Sequence, residues 1–514
     1  MSDWGATHSG AASIEAGLDM DMPGGLGAYG LFNAPLSDFN GNITIGVNNG
    51  TIDVTRLDDM VTRIMTPYYF HGQDVNFPTV DPSSADLQTF LPRSTWVTEF
   101  NLTGPSSRDV RSDHYKIIRK LGAASTVLLK NTNATLPLKK PKSYAIFGND
   151  ASEDTEGYYN QKNWEFGTLA VGGGSGTGRL PYLITPLQAI KARAEADGAF
   201  VQQWLNNTLL ATTDIATLAV PVMPEVCIVF LKRYAEEGAD ITSLDVDWNG
   251  NEVVEQVTAF CNNTVVVTHA SGIINMPWAT NKNVTAILAA HFPGQESGNS
   301  LADVLYGDVN PSAKLPYTIA TNGDEYNGLP TTAVNTTGKE DWQAYFSEKL
   351  EIDYRYFDAQ NKSVLYEFGF GLSYTTFGLT DLKTSALTQN LTAAPAVESP
   401  VSPGGNKHLW EYVYNVTATL TNTGSVTGAG VPQLYVDLGA NAPAGTPLKQ
   451  LRGFEKVELA SGASATVSFP LMRRDLSYWD IISQGWVIPS GAIGIKVGFS
   501  SRDLVLESSI TPVA

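Results

Sequence analysis

The chain has 514 residues, enough to bury two or three separate cores. Its 52 acidic and 33 basic residues leave a formal charge of −19, which opposes partnership with nucleic acid or an anionic membrane. An aromatic content of 10% with 47 Gly and 27 Pro suits loop-rich globular domains and argues against disorder. No apolar run approaches the roughly 18 residues that span a bilayer.

In chain order, the first clear helix runs from Asp53 to about Tyr69, where Val54, Leu57, Val61 and Ile64 recur at helical spacing. Residues 71–112 are rich in Pro, Ser and Asp without periodicity and read as a linker. From 113 to 320 short apolar runs of buried-strand type alternate with helices: Ser143–Gly148, Val226–Leu231, Thr264–Thr268 and Val284–Ala289. Thr185-Pro186 is a cap followed by Pro at the first helical position, opening a helix over Leu187–Ala196. Val254, Val257 and Phe260 make one face of the next helix. Leu301, Val304 and Leu305 make another, stopped by Gly307. The alternation predicts a mostly parallel sheet flanked by helices. Residues 321–374 connect to a last region, 375–514. There Tyr412–Leu420, Pro432–Leu438, Ala465–Leu471 and Ala492–Phe499 read as strands of an all-β sandwich. The Ala/Pro/Ser/Gly-rich segment 385–407 reads as a mobile insertion.

Two signals bear on the compartment. Residues 1–20 lack the basic start and apolar core of a signal peptide, which in a complete protein would suggest the cytosol. Against that, Asn-x-Ser/Thr recurs at Asn42, Asn49, Asn101, Asn133, Asn206, Asn262, Asn283, Asn335, Asn361, Asn390 and Asn415, a density that favours the secretory pathway. Cys227 and Cys261 are too few for a disulfide scaffold, and one bridge or two buried thiols both fit.

The chemistry is carried by motifs. Asp3 lies in Ser2-Asp3-Trp4-Gly5-Ala6, which runs into Ala16-Gly17-Leu18-Asp19-Met20-Asp21-Met22-Pro23-Gly24. A carboxylate three residues from a chain end is ordinarily a solvated group on a frayed terminus. Glu237 lies in Glu236-Glu237-Gly238-Ala239-Asp240, beyond the strand Val226–Leu231, where open α/β sheets present functional groups. Its bland alternative is a surface glutamate beside another. Further segments are Phe292-Pro293-Gly294-Gln295-Glu296-Ser297-Gly298-Asn299, Leu301 to Pro311, Phe368-Gly369-Phe370-Gly371-Leu372-Ser373-Tyr374, and Leu448 to Val457.

Together these segments resemble glycoside hydrolase family 3, and specifically its retaining β-glucosidases, over essentially the whole chain. The resemblance implies an α/β plus all-β fold: residues 1–70 as the remnant of a catalytic (β/α)8 barrel, 113–320 as an α/β sandwich domain, and 375–514 as a fibronectin-III-like β-sandwich. It implies that Asp3 is the nucleophile, that Glu237 is the acid/base with Glu236 as fallback, and that Trp4 walls the sugar. It further implies that most of the barrel and a signal peptide are missing ahead of Met1, that the protein is extracellular, and that residues 1–514 alone are inactive. Ile241 stands where the family usually has arginine, and Phe370 where many relatives have histidine. The glycine loop over residues 172–178 lacks the Gly-Lys-Ser/Thr ending of a phosphate loop. In the family a similar loop borders the active-site cleft, so it reads as a flexible rim. The expected substrate is a β-glucoside or oligosaccharide, with no cofactor and no metal. The six histidines show no metal-ligand spacing, and no Gly-x-Ser-x-Gly elbow is present. A β-xylosidase or exo-glucanase is the alternative within enzymes. A non-catalytic carbohydrate-associated or scaffold protein is the alternative outside them.

Overall fold

The structure is a computed structural model that describes residues 1–4, 6–7, 9–22, 42–77, 109–153, 167–174, 180–218, 223–237, 241–328, 346–402 and 404–512. The middle of the linker reading, residues 78–108, lies outside them, as do residues 175–179 of the glycine loop and residues 238–240 of the acidic loop. Contacts divide the chain into two units, Met1–Ser112 and Asp113–Ala514.

The first unit contains helices α1 (Ala11–Glu15), α2 (Asn42–Asn49) and α3 (Val54–Phe70). Asp53 caps α3 by accepting a hydrogen bond from Thr55 N. A small core of Ile14, Ile52 and Met60 joins the three helices. Two extended stretches meet in parallel at a bridge between Trp4 and Met22, with α1 between them in sequence. The guanidinium of Arg56 on α3 reaches the carbonyl of Ile14 at 2.8 Å and the carboxylate of Asp19 at 2.9 Å. It thereby pins the helix to the segment that leads into the second stretch.

The second unit opens with α4 (His114–Ser125) and a six-stranded sheet. Its strands are β1 (Val127–Asn131), β2 (Ser143–Phe147), β3 (Phe200–Trp204), β4 (Val226–Arg233), β5 (Thr264–Ala270) and β6 (Val284–Ala289), in spatial order β1-β6-β5-β4-β2-β3. All neighbours are parallel except β1, which pairs antiparallel with β6 at the edge. Alternating side chains of β4 enter two cores. Cys227, Val229 and Leu231 point to one face, under α6 (Gly250–Phe260); Val226, Ile228 and Phe230 point to the other, under α5 (Pro186–Ala196) and α7 (Ser297–Leu305). That double burial is why the strands read as unbroken apolar runs. Helix α5 begins with a reciprocal cap: Thr185 Oγ1 accepts from Gln188 N, and the Gln188 side chain accepts from Thr185 N. Cys227 at the start of β4 is disulfide-bonded to Cys261, the residue after α6. This resolves the two readings of the cysteines.

After α8 (Tyr354–Ala359) the chain enters the β region. Strands β7 (Phe377–Ala386), β8 (Tyr412–Asn422) and β13 (Ser464–Met472) form one sheet in the order β13-β8-β7. Strands β10 (Gln433–Asp437), β11 (Gln450–Phe454), β16 (Ile493–Gly498) and β17 (Leu504–Ile510) form another in the order β11-β10-β16-β17. Short pairs β9 (Gly428–Gly430) with β12 (Val457–Leu459), and β14 (Tyr478–Asp480) with β15 (Gly485–Val487), close the ends. Val416, Ala418 and Leu420 from one sheet meet Leu434, Val436, Ile495 and Val497 from the other.

One expectation is corrected here. The segment 385–407 is not a loose insertion in its described residues. Leu391 is buried in the sandwich core, Ile488 N donates to the carbonyl of Ala393, and the Glu398 carboxylate accepts from Ser402 Oγ and Lys407 N. Its low-complexity composition hides one apolar anchor and a set of local caps.

Candidate active site

In the first unit, Ser2 N donates to the carbonyl of Met20 at 2.9 Å, and Met22 N donates to Ser2 Oγ at 2.8 Å. These bonds hold the Ser2–Trp4 stretch alongside its parallel neighbour. Asp3 is exposed, and its Oδ1 accepts a 2.7 Å hydrogen bond from Trp4 N, which fixes the carboxylate at the end of the stretch. Trp4 is 53% exposed, so its indole faces outward and is not core.

In the second unit, Glu236 and Glu237 follow β4 directly, and both are exposed. The base of their loop is clamped. Arg233, the last residue of β4, pairs with Asp247 Oδ1 at 2.7 Å and donates twice to the carbonyl of Ser243, at 2.7 and 3.1 Å. Asp247 Oδ2 accepts from Tyr234 N at 2.6 Å. A guanidinium therefore does tie this loop, from position 233, although position 241 is isoleucine. The Tyr234 hydroxyl donates to Glu236 Oε2 at 2.9 Å, which gives Glu236 a local partner inside the loop.

The glycine segment lies against the same loop. Gly173 N donates to the carbonyl of Ala235 at 3.1 Å. A Cβ added to Gly173 would stand 2.6 Å from Glu236 Cβ; at Gly174, whose φ is +88°, it would stand 2.5 Å from Glu237 Cβ and 2.9 Å from Glu237 N. Glycine is needed there for both space and backbone angle. In its described part, then, the segment backs the acidic pair.

Behind it lies a buried polar cluster that sequence reasoning missed. His269 Nδ1–H donates to Asp150 Oδ2 at 2.6 Å, and both residues are 0% exposed. Ser297 Oγ lies 3.4 Å from His269 Nε2. Asp150 Oδ1 accepts from Leu169 N, Lys232 Nζ donates to the carbonyl of Gly167, and Gly294 N donates to the carbonyl of Ala170. Residues 167–170, which lead to the glycine segment, are thus held from β4, from the turn after β2 and from the turn before α7. The signal available in the sequence was polar residues placed at the carboxyl ends of apolar strands, as in Thr268-His269-Ala270. Nearby, the Glu296 carboxylate takes hydrogen bonds from Tyr182 at 2.5 Å and Asn299 at 2.7 Å, and it raises the pKa of the Tyr182 hydroxyl. Among the described residues no group of three His, Cys, Asp or Glu is placed to hold a metal ion.

The second unit thus joins a helix-flanked, mostly parallel sheet, with an acidic loop at its strand ends, to a β-sandwich. Comparisons make this specific. Residues 126–374 match the glycosyl hydrolase family 3 C-terminal domain, and residues 430–501 match a fibronectin type III-like domain. A beta-D-glucoside glucohydrolase from Trichoderma reesei is 38% identical with a TM-score of 0.83, the alignment covering 100% of this chain and 67% of that one. The beta-glucosidase D2-BGL from Chaetomella raphigera is 39% identical with a TM-score of 0.82, covering 99% of this chain and 68% of that one. A protein named probable beta-glucosidase G in Aspergillus flavus is 65% identical over 513 residues. The chain belongs to glycoside hydrolase family 3. It spans 63% of the length of the Aspergillus relatives of that name, in A. flavus and A. oryzae.

Proposed function

We propose that this chain carries the two catalytic carboxyl groups of a retaining β-glucosidase that releases terminal glucose from β-glucosides such as cellobiose. The observation that carries the reading is the Glu237 loop. It sits at the carboxyl end of β4, is clamped at its base by Arg233 and Asp247, and is backed by glycines that leave room for it. Asp3, ionised, attacks the anomeric carbon; Glu237, protonated, gives its proton to the departing oxygen and later takes one from water. The two groups of such a pair work at about 5–5.5 Å from each other. Glu237 is exposed on its own unit, and exclusion of water by bound substrate favours the neutral, proton-donating form of a carboxyl group. Trp4 packs on the sugar's apolar face.

The parallel pairing of Trp4 with Met22 across α1 supports reading residues 1–70 as βα units of a barrel. Among the described residues of the first unit these two stretches pair, and the same proposal holds residues 1–514 alone to be inactive. Orientation of substrate by a complete barrel is worth about 7–11 kcal/mol of the barrier. An extracellular location belongs to the same proposal. It is supported by the Cys227–Cys261 disulfide and by exposed sequon asparagines at 133, 206, 262, 361 and 390.

The test joins this chain to the part of the A. oryzae relative that the alignment leaves unmatched. Turnover of an aryl β-glucoside is expected, abolished by Asp3→Asn. Glu237→Gln should slow cellobiose far more than an aryl glucoside, whose leaving group needs no proton. A fusion that is folded and active with Asp3→Asn in place refutes the assignment.

A further inference from the structure

The sheet edge that carries the acidic loop also carries a second opening. A cleft of about 660 Å³ lies at the carboxyl ends of β2 and β3, with Asn149, Glu153, Gln203, Trp204, Asn206 and Trp248 in its wall. It is large enough for a di- or trisaccharide. Among the described residues that line it none is basic, which disfavours phosphorylated or other anionic ligands. The lining instead combines flat apolar rings with side-chain amides, each offering both a donor and an acceptor. Sugars ask for that combination: C–H faces that pack on aromatic rings, and hydroxyls that donate and accept.

The rings are held before any ligand arrives. Trp204 is stacked on Phe147, with centroids 5.3 Å apart and planes 16° from parallel, so one face is fixed to the core while the residue still lines the cleft. Trp248 is 39% exposed at a φ of +58°, followed by Asn249 at +55°. Bulky residues rarely adopt that backbone region, and such strain concentrates where a side chain must be presented. Trp248 also directly follows Asp247, the residue that clamps the acidic loop. Asn149 donates its backbone N–H to Asn207 Oδ1 at 2.8 Å, while its own Oδ1 is buried with no hydrogen-bond partner. Orphan acceptors of this kind are uncommon and mark sites with an unmade contact.

We propose that this cleft, whose lining includes neither Asp3 nor Glu237, binds a neutral oligosaccharide. The sugar can come from two sources. One is a free β-glucan chain. The other is the protein's own N-linked glycan, because Asn206-Asn207-Thr208 is an exposed sequon on the rim. The choice of a glucan probe rests on the β-glucosidase reading. Binding needs no turnover, so a failed titration leaves that reading standing, and an inactive fusion leaves the cleft standing.

The experiment is calorimetric titration of residues 1–514 with cellohexaose, on chain made without glycosylation and on chain made with it. Saturable binding to the unglycosylated chain is expected, weakened about tenfold by Trp248→Ala through loss of the stacking face. Gln203→Ala is the second variant, with circular dichroism to confirm that each variant is folded. If the chain's own glycan is the occupant, the glycosylated form binds cellohexaose only when Asn206→Gln removes that glycan, which also supports a carbohydrate cleft. The proposal is overturned if neither form, with or without Asn206→Gln, shows saturable binding. It is equally overturned if folded Trp248→Ala and Gln203→Ala bind like the parent.

Discussion

The disulfide offers the most quantitative prediction. Cys227 and Cys261 are 34 residues apart in sequence and close a loop containing most of β4, the clamped acidic loop and all of α6. The cross-link removes conformations from the unfolded chain, and a loop of that length corresponds to about 4 kcal/mol at 25 °C. Both sulfurs are buried, with Cys227 at 0% and Cys261 at 2% exposure, so reduction without unfolding is expected to be slow. With an unfolding entropy of about 2.1 cal/mol/K per residue over the roughly 400 residues of the second unit, that loss corresponds to about 4–5 °C in Tm. The assay is a thermal scan of oxidised chain against chain unfolded, reduced and refolded under reductant. It is paired with alkylation under denaturing conditions, which should find no free thiol before reduction and two after. Two free thiols in unreduced protein, or equal Tm values for the two forms, refute the reasoning.

Two further outcomes follow from single side chains. Gly174→Ala places a methyl 2.5 Å from Glu237 Cβ at a φ of +88°, so the acidic loop must shift. In the active fusion kcat should fall by about two orders of magnitude, the scale that a 1 Å misplacement costs, with a smaller change in KM; a kcat within twofold of the parent refutes it. Lys314 Nζ donates to the carbonyl of Gly371 at 2.7 Å, and burial lowers its pKa to about 8 against the opposing pull of Asp503 and Glu367. Its folded pKa lies below its unfolded one, so between pH 8 and about 10.5 the unfolded chain binds more protons and stability gained from this site rises with pH. Measured by urea denaturation, the parent should gain about 3 kcal/mol on Lys314→Met across that window; a difference that does not change with pH refutes the burial argument.

The central strands were legible because burial on both faces writes itself as an unbroken apolar run, as in Val226 to Leu231 and Thr264 to Thr268. Edge strands were not. The β3 sequence Phe-Val-Gln-Gln-Trp is half exposed, and β7 mixes Thr, Asp, Lys and Ser with an irregularity between Thr380 and Lys383 that breaks its alternation. Polar edges protect a sheet from stray pairing, so their strand character is carried by neighbours and not by composition. At the candidate site, Asp3 came from resemblance alone, and Glu237 from resemblance together with its place beyond the strand Val226–Leu231. Much of what supports their surroundings left no local signal, because the contacts join residues remote in sequence: Asp150 with His269 is separated by 119 positions, and Arg56 with Asp19 by 37.

The interior polar groups of the second unit follow a pattern that composition cannot express. Burying Asp150, His269 and Lys232 costs desolvation that apolar residues of similar size would avoid, and buried ion pairs are poor evidence of added stability. Their partners point to a different role. Asp150 holds Leu169 N, Lys232 holds the carbonyl of Gly167, and the chain then runs from residue 170 to glycines that lie against Glu236 and Glu237. Glycines 172–174 lack side chains with which to anchor themselves, so their position depends on what is fixed immediately before them. Arg233 and Asp247 fix the other side of the same contact, at the base of the acidic loop. The polar side chains therefore collect where two short segments must keep a close, side-chain-free approach. A site that needs a carboxyl group placed to within a fraction of an ångström gives a physical reason for spending desolvation energy there and not elsewhere in the sheet.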